Sequence, residues 1–232
     1  MLCVSNLSSS YGNIRAVNNV DLRVNRGAMV SLIGSNGSGK STTLKTIAGM
    51  HSPDSGTVKF GDRDITGWPT HRLAHHGLAF LMERPTSVVA PLTVEENLAL
   101  GSAARRSNVP EMLTRVFELF PRLEERRGQY AGTLSGGEQQ MVAIGRVLMT
   151  DPDLLLIDSP TIGLAPAIVD EVYASITRLH SEGLSILFIE QNAELALALS
   201  DHTYLLHRGS IAIEGPSATL RNSQEMVDAY LA

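Results

Sequence analysis

Residues 34–41 read Gly34-Ser35-Asn36-Gly37-Ser38-Gly39-Lys40-Ser41, the spacing G-x-x-x-x-G-K-[ST]. Glycines there let successive backbone N–H groups curl around phosphate oxygens with no Cβ in the way. Lys40 brings a point charge to the β and γ phosphates, and the Ser41 hydroxyl is placed to ligate Mg²⁺. Such a loop needs a strand before it and a helix after it, since the helix N-terminus completes the anion site. The apolar run Val30–Ile33 supplies the strand, and Thr42–Ala48 can continue as the helix, with Thr42 beside the phosphates. The implied ligand is a nucleoside triphosphate. That chemistry also asks for an acidic residue at the end of a neighbouring buried strand, to hold the metal's water shell. Asp158 closes the apolar run Leu154-Leu155-Leu156-Ile157 and is followed by Ser159-Pro160-Thr161.

A third motif lies between these two. In Leu134-Ser135-Gly136-Gly137-Glu138, Ser135 and Glu138 have the S-x-x-E spacing of a helix capping box. A helix N-terminus carrying two glycines and a serine hydroxyl is also a γ-phosphate receptor, and one sequence can satisfy both readings.

The elements that must position these motifs follow from periodicity. Residues 2–33 read as short alternating strands, with Val20, Leu22 and Val24 on one face and a strand at Met29–Ile33. GTVKFGDRDIT (56–66) reads as a hairpin turning at Gly61-Asp62. From Thr93 to Met149 the pattern is helical, with Pro110 in a first turn, apolar spacing at Met112, Val116, Leu119 and Phe120, and a further helix opening after Ser135. Beyond Asp153, buried strands at 154–157, 185–189 and 203–206 alternate with helices at about 167–181 and after Asn192, which predicts a parallel sheet covered on both faces. The expected layout is an α/β core (1–83 and 151–232) with an antiparallel β lobe near its start and a helical insertion at 84–150.

Composition limits the remaining options. The 232 residues are 43% hydrophobic, with 19 basic against 24 acidic residues and a net charge of −5; the basic residues are scattered, which argues against a nucleic-acid surface. One cysteine, Cys3, leaves no internal disulfide and fits a reducing compartment. MLCVSNLSSS has no cationic start leading into an apolar stretch, so no signal peptide is expected. The apolar runs fall far short of the ~18 residues that cross a bilayer. His71, His75 and His76 can share a helix face, but no third ligand motif accompanies them, and a solvated helix is the reading.

GSNGSGKST, LSGGEQQ and LLLIDSP, in this order, resemble the motif set of ATP-binding cassette (ABC) ATPases, and the resemblance covers the whole chain. PLTVEENL (91–98), IGLAP (162–166), FIEQNAELAL (188–197) and AYLA (229–232) are similar to the branched-chain, or hydrophobic, amino-acid uptake subfamily of LivF type. The resemblance implies one complete cassette with a RecA-like parallel-sheet core, an N-terminal antiparallel β lobe and an inserted helical subdomain, using ATP and Mg²⁺. It implies that Tyr11 stacks on adenine, and that Glu83 stands where most members carry the glutamine that contacts Mg²⁺ and the membrane subunit. Gln191 stands where most carry a switch histidine; the subfamily commonly has Glu and Gln at these two positions. ERPTSVVAPL (83–92) departs from the expected Gly-Arg-rich segment. The implied partners are a second cassette, identical or related, two integral membrane permeases and, indirectly, a periplasmic binding protein; nucleic acid is not among them. The implied place is peripheral, at the cytoplasmic face of the inner membrane.

Ser159 occupies the position of the family's glutamate, which polarises the attacking water. Serine is no base at neutral pH, so hydrolysis at this chain's own site is expected to be impaired while Ser135–Glu138 can still complete a partner's site. The alternatives are an essentially non-catalytic regulatory cassette and a urea- or amide-type uptake ATPase.

Overall fold

The computed structural model describes residues 1–83, 88–104 and 108–231. The chain opens with two long antiparallel strands, β1 (Leu2–Tyr11) and β2 (Ile14–Val24), where short ones were expected. Their length is concealed because the pairing slips twice between Val4 and Ser9. Asn6 (φ 51°) and Asn19 (φ 49°) take the left-handed conformation that Asn tolerates, so the in–out alternation breaks. β3 (Met29–Ile33) is buried along its whole length and leads through the phosphate loop into α1 (Lys40–Ile47). The predicted hairpin is β4 (Ser55–Phe60) and β5 (Arg63–Asp64), turning at Gly61 with φ 61°. α2 (Thr70–His75) and β6 (Leu78–Leu81) follow.

The helical stretch comprises α3 (Val94–Gly101), α4 (Val109–Leu119), α5 (Pro121–Glu125) and α6 (Gly136–Leu148). Thr93 and Ser135 each close a capping box, on Glu96 and Glu138, which fixes where α3 and α6 begin. Then come β7 (Leu154–Asp158), α7 (Pro166–Ser181), β8 (Ser185–Glu190), α8 (Ala193–Leu199), β9 (His202–His207), β10 (Ser210–Pro216), α9 (Ser217–Leu220) and α10 (Gln224–Leu231).

Two sheets result. One is antiparallel in the order β2-β1-β4-β5; the other runs β10-β9-β3-β8-β7-β6, parallel except for β10 against β9. Side chains of the parallel strands alternate between two cores, as strand geometry requires. Leu155, Ile157, Ile186 and Phe188 join Ile33 and residues of α3, α4, α6 and α7. Leu154, Leu156, Leu187 and Ile189 join Val30, Leu32, Leu44 and Ile47 and the inner face of the antiparallel sheet.

This alternation aims the polar residues that end the strands. Asp158 continues the Leu154–Leu156 face toward α1, whereas Glu190 continues the Ile186–Phe188 face toward α7. Ile33 pairs with Glu190, and Asp158 with Ile189. Gly34, Ser159 and Gln191 therefore leave the sheet at one edge, the carboxyl ends of three adjacent parallel strands, where open α/β sheets bind ligands.

Candidate active site

The loop between β3 and α1 is held open by backbone crowding. A Cβ at Gly34 (φ 151°) would lie 2.2 Å from the Leu206 carbonyl oxygen, and one at Gly39 (φ 104°) would lie 2.3 Å from that of Ala16. Only glycine fits there, whereas Gly37 (φ 78°) needs glycine for conformation alone, having open space around it. The Ser38 N–H donates to Ser35 O (3.2 Å) and Gly209 N–H to Ser38 O (2.9 Å), which pins the loop to the turn between β9 and β10. Asn36 and Gly37 lie at the exposed outer bend. Gly39 caps α1 with no side-chain oxygen on its first N–H groups, which leaves those donors aimed into the loop.

Lys40 is 7% exposed, and its ammonium donates to the carbonyls of Gly34 (2.7 Å) and Ser35 (2.8 Å). Burial lowers its pKa, and the carboxylates of Asp158 and Glu190 oppose that shift. The Ser38 hydroxyl is buried without a partner. Ser41 Oγ donates to Asp158 Oδ1 at 3.0 Å, joining the first turn of α1 to the end of β7, and Thr42 follows on the half-buried side of the helix.

Asp158 is fully buried, and its Oδ2 has no hydrogen-bond partner. Burial raises its pKa, and the Glu83 carboxylate adds to that shift; the Ser41 bond, the Lys45 ammonium and the Ser159 hydroxyl act against it. An orphaned carboxylate oxygen beside a hydroxyl is a donor set that suits a hard cation such as Mg²⁺, which takes few protein oxygens and completes its shell with water and phosphate. The site therefore fits the metal. Among the described residues no cluster of three or more His, Cys, Asp or Glu could hold a metal by itself, His71, His75 and His76 included.

The remaining expected residues are dispersed around this centre. Ser159, 4% exposed and at φ 47°, follows Asp158 and donates to Asp158 Oδ1 over 3.5 Å. Gln191 is exposed just beyond β8; its N–H donates to Glu190 Oε2 and its carbonyl accepts from the Tyr230 hydroxyl (both 2.6 Å). Glu83 is exposed two residues after β6, and residues 84–87 of the divergent 83–92 stretch lie outside the described residues. Tyr11 ends β1, half exposed, with its ring stacked on His51 at 4.2 Å and 24°.

Ser135, Gly136, Gly137 and Glu138 form the N-terminus of α6. Ser135 N–H and Oγ donate to Glu138 Oε2 (2.8 and 2.7 Å), Glu138 N–H donates to Ser135 Oγ (3.3 Å), and Arg126 pairs with Glu138 Oε1 at 2.9 Å. A Cβ on Gly137 would meet Ile168 of α7 at 2.6 Å, so helix packing demands this glycine independently of any phosphate. Sequence reasoning passed over His51 and the buried acid Glu190. Glu190 ends an apolar strand just as Asp158 does, and that signal could have found it.

A phosphate loop after a central parallel strand, with a buried aspartate ending a nearby strand, defines a P-loop nucleotide-binding fold. Residues 17–162 match the ABC transporter family, and the chain belongs to it as an ATP-binding cassette, the ATPase of such a transporter. It is 42% identical over 232 residues to the high-affinity branched-chain amino acid transport ATP-binding protein BraG of Pseudomonas aeruginosa, covering all of this chain and 99% of that one. In structure it is similar to the ADP conformation of an ATP-binding cassette of an ABC transporter, with TM-score 0.86, 30% identity, and 100% and 98% of the two chains covered. It is likewise similar to a dimeric bacterial ABC transporter cassette, with TM-score 0.82, 25% identity, and coverage of 94% and 99%. Among the described residues no helix is long and apolar enough to cross a membrane.

Proposed function

We propose that this chain is the energy-coupling subunit of an importer for branched-chain or related amino acids, binding ATP with Mg²⁺ at residues 34–42. The observation that carries the ATP reading is the Ser41–Asp158 pair with its unpartnered Oδ2, set under a loop that only glycine can form. The cargo class is supported by the full-length match to BraG, whose name says branched-chain amino acid transport. Residues 1–83 and 151–232 are the core with its β lobe, and 84–150 are the helical part that presents Ser135–Glu138. The partners are a second cassette and two membrane permeases fed by a periplasmic binding protein, at the cytoplasmic face of the membrane. The relative solved as a dimer supports the cassette pairing.

Each residue has a role in this reading. Loop N–H groups and the α1 N-terminus receive the β and γ phosphates, and Lys40 exchanges its carbonyl partners for phosphate oxygens. Ser41 and Asp158, with Glu83 at the rim, hold Mg²⁺, which supplies charge neutralisation on the phosphates. Tyr11 stacks on adenine. In a head-to-tail pair, Ser135, Gly136, Gly137 and Glu138 close over the partner's γ-phosphate. Gln191 contacts the γ-phosphate of this chain's own ATP. Ser159 stands where a carboxylate would hold the attacking water, and its neutral hydroxyl lowers hydrolysis at this site by a factor on the order of 10²–10⁴. Such a cassette still completes a competent partner site.

The test is ATP turnover of the assembled transporter carrying wild-type chain or Ser159→Glu, alongside uptake of leucine and of urea into vesicles. Higher turnover with glutamate and leucine uptake are expected. Unchanged turnover overturns the impaired site, and urea uptake without leucine overturns the cargo. Ser159 also favours a second reading, an essentially non-catalytic regulatory cassette; full uptake with a Lys40→Ala chain, whose nucleotide site is disabled, would select it.

A further inference from the structure

β8 ends on a carboxylate whose hydrogen bonds no role above uses; its charge acts on Lys40 together with that of Asp158. Glu190 is 6% exposed, and its four hydrogen-bond donors come from three segments. Its Oε1 accepts from the Tyr173 hydroxyl on α7 and from Thr161 Oγ1 (3.1 Å) in the loop that follows Ser159. Its Oε2 accepts from the N–H groups of Gln191 (2.6 Å) and Asn192 (3.1 Å) at the turn into α8. Burial, then the charge and hydrogen bond of Glu190, raise the Tyr173 phenol well above its usual pKa, so Tyr173 stays protonated and is a permanent donor. The carbonyl of Gln191 is bound in turn by the Tyr230 hydroxyl, so this peptide is gripped from both sides.

An apolar residue would end β8 without the desolvation penalty of a buried carboxylate, so this charge calls for a task other than packing. Charge-assisted bonds are about twice as strong as neutral ones, and a carboxylate can hold two pairs of donors in fixed directions. Asp158 pairs with Ile189, so the segments leaving β7 and β8 start side by side.

We propose that Glu190 is a positioning residue that ties the Ser159–Thr161 loop to the backbone of Gln191, so that both strand ends hold one geometry toward the γ-phosphate. This rests on the reading of Ser159 and Gln191 as neighbours of that phosphate. Glu190→Gln keeps the shape but turns an NH₂ group toward one pair of donors, leaving that pair without an acceptor.

The test uses the full-length chain. Amide hydrogen exchange at Gln191, Asn192 and residues 161–165 is expected to speed up at least tenfold in Glu190→Gln, with the sheet interior unchanged and affinity for a fluorescent ATP analogue within twofold. Tyr173→Phe, which removes one donor and keeps the ring, is expected to give a smaller acceleration at the same amides and guards against misfolding of the first variant. Unchanged exchange at 191–192, or acceleration spread evenly over the sheet, overturns the proposal. In an assembled transporter carrying Ser159→Glu, adding Glu190→Gln is expected to lower kcat at least tenfold with KM for ATP within twofold; a change in KM alone overturns it. If wild-type chain fails to bind the ATP analogue, the nucleotide reading falls while the exchange result still decides whether Glu190 is a clamp.

Discussion

Ser41 and Asp158, 117 residues apart in the chain, are joined by a 3.0 Å hydrogen bond from the serine hydroxyl to Oδ1, while Oδ2 of the same buried carboxylate meets no donor. A buried unpartnered carboxylate oxygen costs about 1–3 kcal/mol, and a divalent cation bound beside it with the nucleotide, as proposed above, would relieve that penalty. Asp158→Asn is therefore expected to weaken binding of an ATP analogue about 10–100-fold in Mg²⁺, and less than threefold when EDTA is present. Fluorescence titration with and without the metal measures this, and equal losses under both conditions would remove Asp158 from the metal's ligands.

The three glycines of the loop separate conformational need from steric need. Gly37 has a left-handed φ and free space, so Gly37→Ala meets only the left-handed penalty of about 1–2 kcal/mol. Gly39→Ala meets that and a carbonyl oxygen at 2.3 Å belonging to Ala16, which is backbone and cannot rotate away. With about 2–4 °C of melting temperature per kcal/mol in a domain of this size, Gly37→Ala is expected to lose roughly 2–8 °C. Gly39→Ala should lose about twice that or more and bind no nucleotide. Calorimetry of the two variants checks the order, and a Gly39→Ala chain as stable as Gly37→Ala contradicts it.

Much of this site could be read before the fold was known, because its parts are local. The phosphate loop is contiguous, the strands that end in Asp158 and Glu190 are unbroken apolar runs, and the capping boxes of α3 and α6 have a fixed spacing. What escaped is long-range or irregular. β1 and β2 looked like several short strands because Asn6 and Asn19 bulge out of the alternation. His51 comes beneath Tyr11 only because the turn after α1 returns to the end of β1, where His51 Nε2–H donates to the Ser10 carbonyl at 3.1 Å. The Ser135–Glu138 capping box was legible from its spacing, whereas the Arg126 ion pair on Glu138 was not.

Tyr11 is half exposed with its ring stacked on His51, and stacking of adenine on that ring, proposed above, can be tested directly. Base-on-aromatic stacking contributes about 1–3 kcal/mol, so Tyr11→Ala is expected to weaken ATP-analogue binding about 5–100-fold, and Tyr11→Phe less than threefold. The γ-phosphate contacts are untouched by either change, so inorganic triphosphate should compete equally well against all three proteins. Loss of triphosphate competition in Tyr11→Ala would mean that the ring supports the loop and not the base.

Glu138 links the α6 cap to acid stability. Burial pushes its pKa up, but the Ser135 hydroxyl and N–H, with the Arg126 guanidinium, more than reverse this and hold it below the usual glutamate range. A carboxylate with a depressed folded pKa binds fewer protons folded than unfolded. Its contribution is therefore fully present above the ordinary value of about 4.3 and is lost as pH falls through the folded value. Arg126 is substantially exposed, so water screens the pair, and about 1 kcal/mol is the expected size. Glu138→Gln keeps a side chain able to close the capping box and deletes only the charge. It is expected to melt about 2–4 °C below wild type at pH 7, with the gap closing between pH 4.3 and the onset of acid unfolding. A melting series from pH 7 to pH 3.5 measures this, and a gap that stays constant to the lowest pH would show that shape, and not charge, holds the start of α6.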